Sequence, residues 1–586
     1  PISDPSQGTI LRISPDGAQS EVIAHGFRNH YDLAFNQHGH LFTFDSDGER
    51  DHQLPWYSFC RVFHVRVGGH HGWLLPGHQR SFNRPPCFFD SVDRLIEIDR
   101  GSPTGVEVYR HTQFPERYRN GLFFACWTYG RVYFSPLLPS GETYERHPPE
   151  TFLETTGNAG FAPSDLAVHP KSGDLYVSIG GRGTRGSVYR VSFPAGREQA
   201  RQLPPYEVAD DWSIHDQRIT QPPALDPEEA LALFRSNSAP ESRLTAIRHL
   251  MLAMGDISTS EAQRRIDAGY TATKPDAIDP SLRKRLIASL RGAFRISNPA
   301  SPDLNREIAR LLAMLQADDE RAVQMLALAI NPTSHPSDDA HYLFCLAQMT
   351  APRSKDTRRR IGWGFLQIDQ KLAARELLTD RNWPINIREA FQVHLDLDSG
   401  LAPFVAQDEA AERHPSQAYL LKLLPKNEQA AAALPMLKVD TGWSAESIAF
   451  VQSHLPPERL LPRFRELWET PALRPALASF LTKHGELADV KMVDRFYRPP
   501  SSEVDLAPFK ERYSKVDWAT GDSKRGQAVY ARLTCATSHD GNTRLGPRLK
   551  GIAKRFNRDD LFRHINEPNL AVSDLYMATQ ITTKDG

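Results

Sequence analysis

Residues 32–42, DLAFNQHGHLF, recur as DLAVHPKSGDLY at residues 165–176. Each copy has a short apolar run on both sides of a glycine-containing turn, with the same inward pattern, which predicts strand, turn, strand. Repeated hairpins of this kind are the unit of a β-propeller, whose blades bury their faces only against one another. Roughly twelve candidate strands precede residue 196, enough for about three four-stranded blades, whereas a ring needs about four to eight. We therefore predict a partial all-β propeller and expect further blades before Pro1.

The remainder of the chain changes character twice. Long Ala-, Leu- and Arg-rich segments with apolar residues three and four apart predict helices, which Pro and Asp-Pro breaks divide into antiparallel elements of a HEAT-like solenoid. A short helical domain follows, and its last residues read as a hairpin turn without a second strand, so we expect it to be truncated. The predicted multidomain order is a partial β-propeller at 1–195, a linker at 196–221, an α-helical HEAT-like region at 222–498, a linker at 499–505 and a small α-helical domain at 506–586.

The composition limits the classes of protein and of binding site that the chain can represent. The 586 residues carry a formal net charge of -1 at pH 7, which gives no indication of a nucleic-acid partner. No apolar run reaches the roughly 18 residues that a membrane-spanning helix needs. Four of the five cysteines lack the spacing of metal ligands, so they are interpreted as small buried apolar residues or as at most one disulfide; these are Cys60, Cys87, Cys126 and Cys345.

The fifth cysteine begins a near-match to a haem attachment site. The motif Cys-x-x-Cys-His supplies two thioethers and an imidazole ligand for the iron, and here Cys535 and His539 are present while Ser538 stands at the second thiol position. Residues four apart share one face of a helix. We predict haem c held by a single thioether from Cys535, with His539 on the iron. The alternative is an unrelated pair on a helix surface.

The neighbouring residues favour the haem interpretation. Asp522 is placed to cap a helix before the cysteine, and Gly546-Pro547 makes a turn that returns Leu549 toward a haem-sized cavity. This order resembles the cytochrome c fold, and it implies cofactor contacts from these turn residues. Met577 is the candidate distal iron ligand. A core methionine is the alternative interpretation of Met577.

Three further segments bring a family into view: Gly26-Phe27-Arg28-Asn29, Asp45-Ser46-Asp47, and GGRGTRGSVYR at 180–190. They resemble the six-bladed glucose/sorbosone dehydrogenase-like propellers. The whole chain is most similar to the membrane-bound dehydrogenase-like proteins of planctomycetes and verrucomicrobia, in which a propeller, a helical-repeat region and a C-terminal haem-binding domain follow in this order. The resemblance implies an oxidoreductase that oxidises a sugar or alcohol at the propeller and passes electrons to a c-type haem, with pyrroloquinoline quinone (PQQ) as the propeller cofactor.

The resemblance also implies cofactor residues. Arg28 and Asn29 match the Arg-Asn pair that quinone-type relatives place beside the cofactor, and Arg28 or Arg182 would clamp a carboxylated quinone through two hydrogen bonds. The alternative is that Arg-Asn merely ends a strand and fixes a loop.

An alternating acidic loop is a candidate calcium site. Asp45, Asp47, Glu49 and Asp51 present carboxylate oxygens, the ligands that Ca²⁺ prefers, and quinone dehydrogenases use that ion. The alternative is an acidic hairpin tip exposed to water.

No catalytic base stands out. Oxidation of an alcohol needs a group that accepts the hydroxyl proton. His64, His70 and His71 follow the acidic loop, and Gly68-Gly69 would let the backbone approach closely. The alternative interpretation is that these histidines and glycines only form a turn. In the relatives the base comes from an early blade, which we expect before Pro1.

Two functional hypotheses remain. The first is a dehydrogenase with an internal haem acceptor, in the periplasm or at the cell surface, because covalent haem attachment takes place there in such relatives. The second is a carbohydrate- or protein-binding propeller and solenoid scaffold with a degenerate haem domain, which Ser538 favours.

Overall fold

The computed structural model describes most of the chain. The described residues are 8–48, 51–73, 88–155, 160–181, 184–204, 223–255, 269–296, 301–377, 379–408, 413–486, 507–533, 535–539, 546, 549 and 551–567.

All β-strands among these residues lie in the first third of the chain. They are β1 (Ile10–Ile13), β2 (Ser20–Ala24), β3 (Leu33–Phe35), β4 (Leu41–Asp45), β5 (Cys60–His64), β6 (Ile96–Ile98), β7 (Pro103–Val108), β8 (Leu122–Cys126), β9 (Arg131–Ser135), β10 (Pro139–Ser140), β11 (Thr143–Tyr144), β12 (Glu150–Glu154), β13 (Pro163–Val168), β14 (Leu175–Gly181) and β15 (Thr184–Val191).

The strands form antiparallel sheets in which neighbours follow one another in the chain, except that β12 pairs with β9; such sheets are expected for propeller blades. Sheet one has the order β3-β4-β5-β6, sheet two β12-β9-β8-β7, and sheet three β13-β14-β15. Both copies of the repeat form the predicted hairpin, because Ala34 pairs with Phe42 and Ala167 pairs with Tyr176. The strand, turn, strand prediction is thus confirmed in both places. The sheets do not close into a ring within the part of the chain that is described.

Apolar side chains fill the space between successive sheets. Phe44 of sheet one meets Phe124 of sheet two edge to face, with ring centroids 5.2 Å apart. The first strands β3, β7 and β13 lie side by side. Gly105 allows this approach, since a Cβ there would come within 2.6 Å of the Asp165 Cα. The sheets therefore stack face to face, with their first strands together.

Helices dominate from residue 227 onward. They are α1 (Pro227–Ser236), α2 (Pro240–Ala253), α3 (Pro280–Ala293), α4 (Pro302–Met314), α5 (Glu320–Ala329), α6 (Pro336–Leu346), α7 (Lys355–Ala374), α8 (Asn382–Leu397), α9 (Leu401–Gln407), α10 (Ala418–Leu421), α11 (Lys426–Met436), α12 (Ala445–His454), α13 (Pro457–Trp468), α14 (Arg474–Lys483), α15 (Ala507–Ser514), α16 (Ser523–Arg532), α17 (Cys535–His539), α18 (Ile552–Arg555) and α19 (Arg558–Asn566).

Local sequence sets where these helices begin. Asp226 caps α1 in a reciprocal capping box with Glu229, and Pro occupies the first turn of many of the other helices, where its missing N–H costs nothing. None of the helices in the described ranges combines the length and hydropathy of a membrane span.

The chain divides into two compact units, Pro1–Thr357 with Gly551–Leu561, and Arg358–Lys550 with Phe562–Gly586. The division falls inside the predicted helical region at 222–498. The domain boundaries proposed from sequence remain predictions.

Within the first unit, α2 is joined to the sheets by a buried ion pair. Arg248 donates to Asp90 through Nε and Nη2, the latter at 2.7 Å, and the two side chains are only 1% and 4% exposed. The Arg248 guanidinium also lies over the Phe88 ring, 5.3 Å from its centroid. A charge buried in this way needs its partner, since an isolated one would be strongly unfavourable.

Candidate functional site

The Arg28-Asn29 turn is held by a buried carboxylate. Asp45, at the end of β4, accepts hydrogen bonds from the backbone N–H of Arg28 at 2.9 Å, of Asn29 at 2.7 Å and of Ser46 at 2.9 Å. Its side chain is fully buried. The carboxylate thus fixes the backbone at the place where the sequence analysis put the cofactor residues.

Asp45 also faces Arg61, its cross-strand neighbour on β5. The Arg61 Nη2 lies 3.5 Å from Asp45 Oδ2, and the Arg61 side chain is 6% exposed. Burial lowers the pKa of Arg61, while the charge of Asp45 opposes that effect. The Arg61 Nε and Nη2 make no hydrogen bond among the described atoms. Among the described residues these two buried nitrogens are therefore unsatisfied donors, which costs free energy unless an acceptor is bound.

Two more groups border this position. The Arg28 guanidinium donates to Ser46 Oγ at 2.6 Å and lies 5.5 Å from the centroid of the Trp73 ring. The Trp73 Nε1 is buried without a hydrogen bond in the same part of the structure. Gly72, at φ +89°, lies beside Arg61, and a Cβ there would be 3.4 Å from its Nη1. We call Arg28, Asp45, Arg61 and Trp73 the Arg61 corner.

The acidic loop is not an exposed tip. Asp45, Asp47 and Asp51 are all at most 2% exposed, so that alternative interpretation is wrong. Asp47 accepts a hydrogen bond from the Tyr57 hydroxyl and pairs with Arg100 at 3.6 Å.

The Asp45 and Asp47 carboxylates therefore face N–H and O–H donors. In the described ranges no group of three or more His, Cys, Asp and Glu residues is arranged to hold a metal ion. Glu49 and Arg182, the other candidates of this region, lie outside the described residues.

The three histidine candidates serve structural roles. Burial, with His40 and Arg66 nearby, lowers the pKa of His64 to about 3. The His71 ring stacks on Phe27 with centroids 4.1 Å apart.

Hydrogen bonds occupy both ring nitrogens of His71 and the Nδ1 of His70. His71 Nε2 accepts the Arg66 N–H, and its Nδ1 lies 3.1 Å from the His25 carbonyl. His70 Nδ1 accepts the Gly72 N–H at 2.9 Å, so the proton of the neutral ring is on its other nitrogen. We assign none of the three as the catalytic base.

Three carboxyl groups that the sequence analysis missed lie near the first strands of the sheets. Asp32 and Asp165 occupy the same position in the two copies of the repeat, and Asp32 accepts the Val106 N–H of β7 at 2.9 Å. Burial, then Asp32, then Asp165 raise the pKa of Glu107 to about 8. The shared position of the two aspartates in the repeat was the signal that could have indicated this cluster.

The Cys535 and His539 pair lies on one short helix in the second unit. Asp522 caps the preceding α16 by accepting the Arg525 N–H at 2.6 Å, which confirms that prediction. α17 spans Cys535–His539, so both side chains project from one face. Cys535 is partly exposed and not in a disulfide.

Among the described residues, apolar side chains that precede this helix are exposed. No residue of α16 is buried, and large apolar side chains stay exposed, with Val529 at 36% and Leu533 at 61%. Gly546 is buried and Leu549 half-buried. Pro547 and Met577 lie outside the described residues. A thiol, an imidazole and uncovered apolar side chains are the set that a haem would bind and cover.

No protein-family model and no curated protein matches the chain. Among solved structures, it is similar to the PQQ-bound aldose sugar dehydrogenase of Streptomyces coelicolor, with 20% identity over 32% of this chain and 52% of that chain and a TM-score of 0.22. It is also similar to the soluble aldose sugar dehydrogenase of Escherichia coli in its apo-form, with 16% identity over 33% of this chain and 57% of that one and a TM-score of 0.25. The chain thus spans about half the length of these structures.

Proposed function

We propose that this protein is an oxidoreductase in which the sheets bind PQQ at the Arg61 corner for the oxidation of a sugar or alcohol, and Cys535 and His539 bind haem c. The observation that carries the proposal is the buried Arg61 guanidinium, whose Nε and Nη2 lack hydrogen bonds among the described atoms. Such nitrogens call for a hydrogen-bond acceptor, and PQQ is a planar molecule whose carboxylate oxygens accept hydrogen bonds.

The residues of the corner fit such a ligand. An arginine binds a carboxylate through two parallel hydrogen bonds, and the Trp73 Nε1 is a third unsatisfied donor. Asp45 fixes the Arg28-Asn29 backbone and balances the charge of Arg61. Arg28 lies over the Trp73 ring, which restricts both side chains before a ligand arrives. The bound quinone would supply the oxidising power for removing hydrogen from the substrate carbon.

The Cys535 and His539 pair is the basis for proposing a second cofactor. His539 would ligate the iron and Cys535 would form one thioether, because Ser538 has no sulfur to form the other. Haem of this kind carries single electrons, which a quinone dehydrogenase must pass on. We therefore place the protein in the periplasm or at the cell surface, where c-type haem is attached.

A PQQ titration tests the corner. Tryptophan fluorescence quenching would be followed on the full chain with Arg61→Met, Arg28→Met and the control Arg12→Met, whose parent pairs with Glu21 at the surface. Because each corner arginine contributes a charge-assisted contact of about 1.5 to 3 kcal/mol, we expect binding to weaken about 10- to 100-fold in the two corner variants and to stay unchanged in the control. Equal affinity in all four proteins would exclude the Arg61 corner as the quinone site.

The binding-scaffold hypothesis makes the opposite prediction in the same experiment. It is favoured by Ser538 alone, and it requires that neither PQQ nor haem binds. Aldose-dependent dye reduction by the PQQ-loaded protein would exclude it, whereas saturable sugar binding without either cofactor would support it.

A further inference from the structure

Two fully buried cysteines belong to neighbouring sheets. Cys60 begins β5 in sheet one, and Cys126 ends β8 in sheet two. Both side chains are 0% exposed in the same hydrophobic cluster, and both are free thiols. The short segment between β6 and β7 connects the two sheets. At its two ends, Ile98 pairs with Cys60 and Pro103 pairs with Cys126.

The two sulfur atoms face one gap beside Gly101. A Cβ on Gly101 would lie 2.9 Å from the Cys126 Sγ and 3.4 Å from the Cys60 Sγ. Both sulfurs therefore border the space that the absent Cβ leaves free. The Ser102 N–H lies 3.5 Å from the Cys126 Sγ, which holds this connecting segment against the second sulfur. A larger residue at 101 would separate the thiols.

We propose that Cys60 and Cys126 form a disulfide that links sheets one and two when the protein folds under oxidising conditions. A small-molecule disulfide would serve as oxidant. One cysteine thiolate attacks it and releases one small thiol, and the second cysteine then displaces the other, so the two cysteines lose two protons and two electrons and the S–S bond joins them. The proposal does not depend on either cofactor.

The burial of the two thiols determines when the disulfide can form. Burial raises the pKa of Cys60 and of Cys126, and only a thiolate attacks a disulfide. The folded, reduced protein is therefore expected to resist oxidation. Bond formation belongs to the folding step, before the hydrophobic cluster closes. Because the link would close a long loop that includes parts of both sheets, it would restrict the unfolded chain strongly.

Peptide mapping of the full chain tests the proposal. The protein is refolded from denaturant in a mixture of oxidised and reduced glutathione, alkylated after denaturation, and digested with trypsin. Cleavage after Arg50, Arg61, Arg119 and Arg131 isolates the two cysteines in peptides 51–61 and 120–131. We expect these peptides to be joined, with a mass lower than that of the two separate thiol peptides by two hydrogen atoms.

Three comparisons complete the test. Dithiothreitol should separate the peptides and lower the thermal midpoint by several degrees. A Cys345→Ala variant, which removes a buried thiol elsewhere, should keep the link, whereas Cys60→Ala should lose it. If Cys60→Ala does not fold, the mapping of the wild-type protein decides alone. Complete alkylation of both cysteines after oxidative refolding, or a link from either one to another cysteine, would overturn the proposal.

Discussion

Two aspartate side chains, those of Asp45 and Asp32, fix the backbone around the candidate site. Asp45 satisfies three backbone N–H groups and faces Arg61, so one side chain fixes both the Arg28 turn and the charge of the neighbouring strand. Asp32 similarly joins β3 to β7 through the Val106 N–H. Hydrogen bonds to a charged carboxylate are stronger than bonds between neutral groups. They therefore stabilise the irregular backbone of the Arg28 turn.

Glu107 makes stability depend on pH. Its pKa is raised to about 8 by burial, Asp32 and Asp165, with Arg110 opposing, so the folded state holds a proton that the unfolded state releases near its usual lower pKa. The resulting stabilisation is complete at acidic pH and is lost as the pH rises through about 8. Its upper limit is a few kcal/mol (about 1.4 per pKa unit), because this carboxyl is only half-buried and is partly screened.

Glu107→Gln should therefore reduce the loss of thermal stability between about pH 5 and pH 9. Thermal midpoints of the wild type and the variant across this range measure the effect. Parallel profiles for the two proteins would show that Glu107 is not the titrating group.

The haem site makes a separate prediction about two residues. His539→Ala removes the proposed iron ligand and should abolish haem retention, whereas Cys535→Ala should leave a haem that acidified acetone extracts. His564→Ala, a change in the neighbouring α19, serves as the control and should keep covalent haem. Haem retained by His539→Ala would remove that residue from the site.

At the scale of elements, α2 depends on a buried ion pair. Arg248→Met removes the guanidinium that pairs with the buried Asp90 carboxylate, which we expect to cost about 3 to 5 kcal/mol. Hydrogen exchange followed by mass spectrometry should show faster exchange over Pro240–Ala253. Arg12→Met breaks an exposed pair and should cost less than about 1 kcal/mol. Equal exchange of α2 in both variants would contradict the docking role of Arg248.

Strands and turns could be predicted from the sequence more fully than contacts between side chains. The repeat at 32–42 and 165–176 predicted two hairpins because short apolar runs and a glycine turn are local signals. The burial of Asp45 and its approach to Arg61 depend on the register of β4 and β5, which pairs Asp45 with the residue 16 positions later. Arg61 and Trp73 were missed because an isolated Arg in a strand and a Trp after a glycine turn have no distinctive spacing.

At the scale of the whole molecule, each compact unit holds one part of the proposed chemistry. The first unit contains the Arg61 corner and the second contains Cys535 and His539. In the proposed oxidoreductase, the first would carry out the two-electron oxidation of the substrate and the second would accept single electrons. The order predicted from sequence, strands followed by helices and a short haem-like segment, is compatible with this division of roles.

A haem spectrum tests most directly whether this chain carries a haem despite Ser538. We would produce the wild type and Ser538→Cys with a cytochrome c maturation system, extract both with acidified acetone, and measure the haemochrome spectrum of the remaining protein. We predict that the wild type keeps its haem, with a band shifted from that of Ser538→Cys because one vinyl group stays unreacted. Haem in Ser538→Cys alone would contradict it and leave a disabled cytochrome domain.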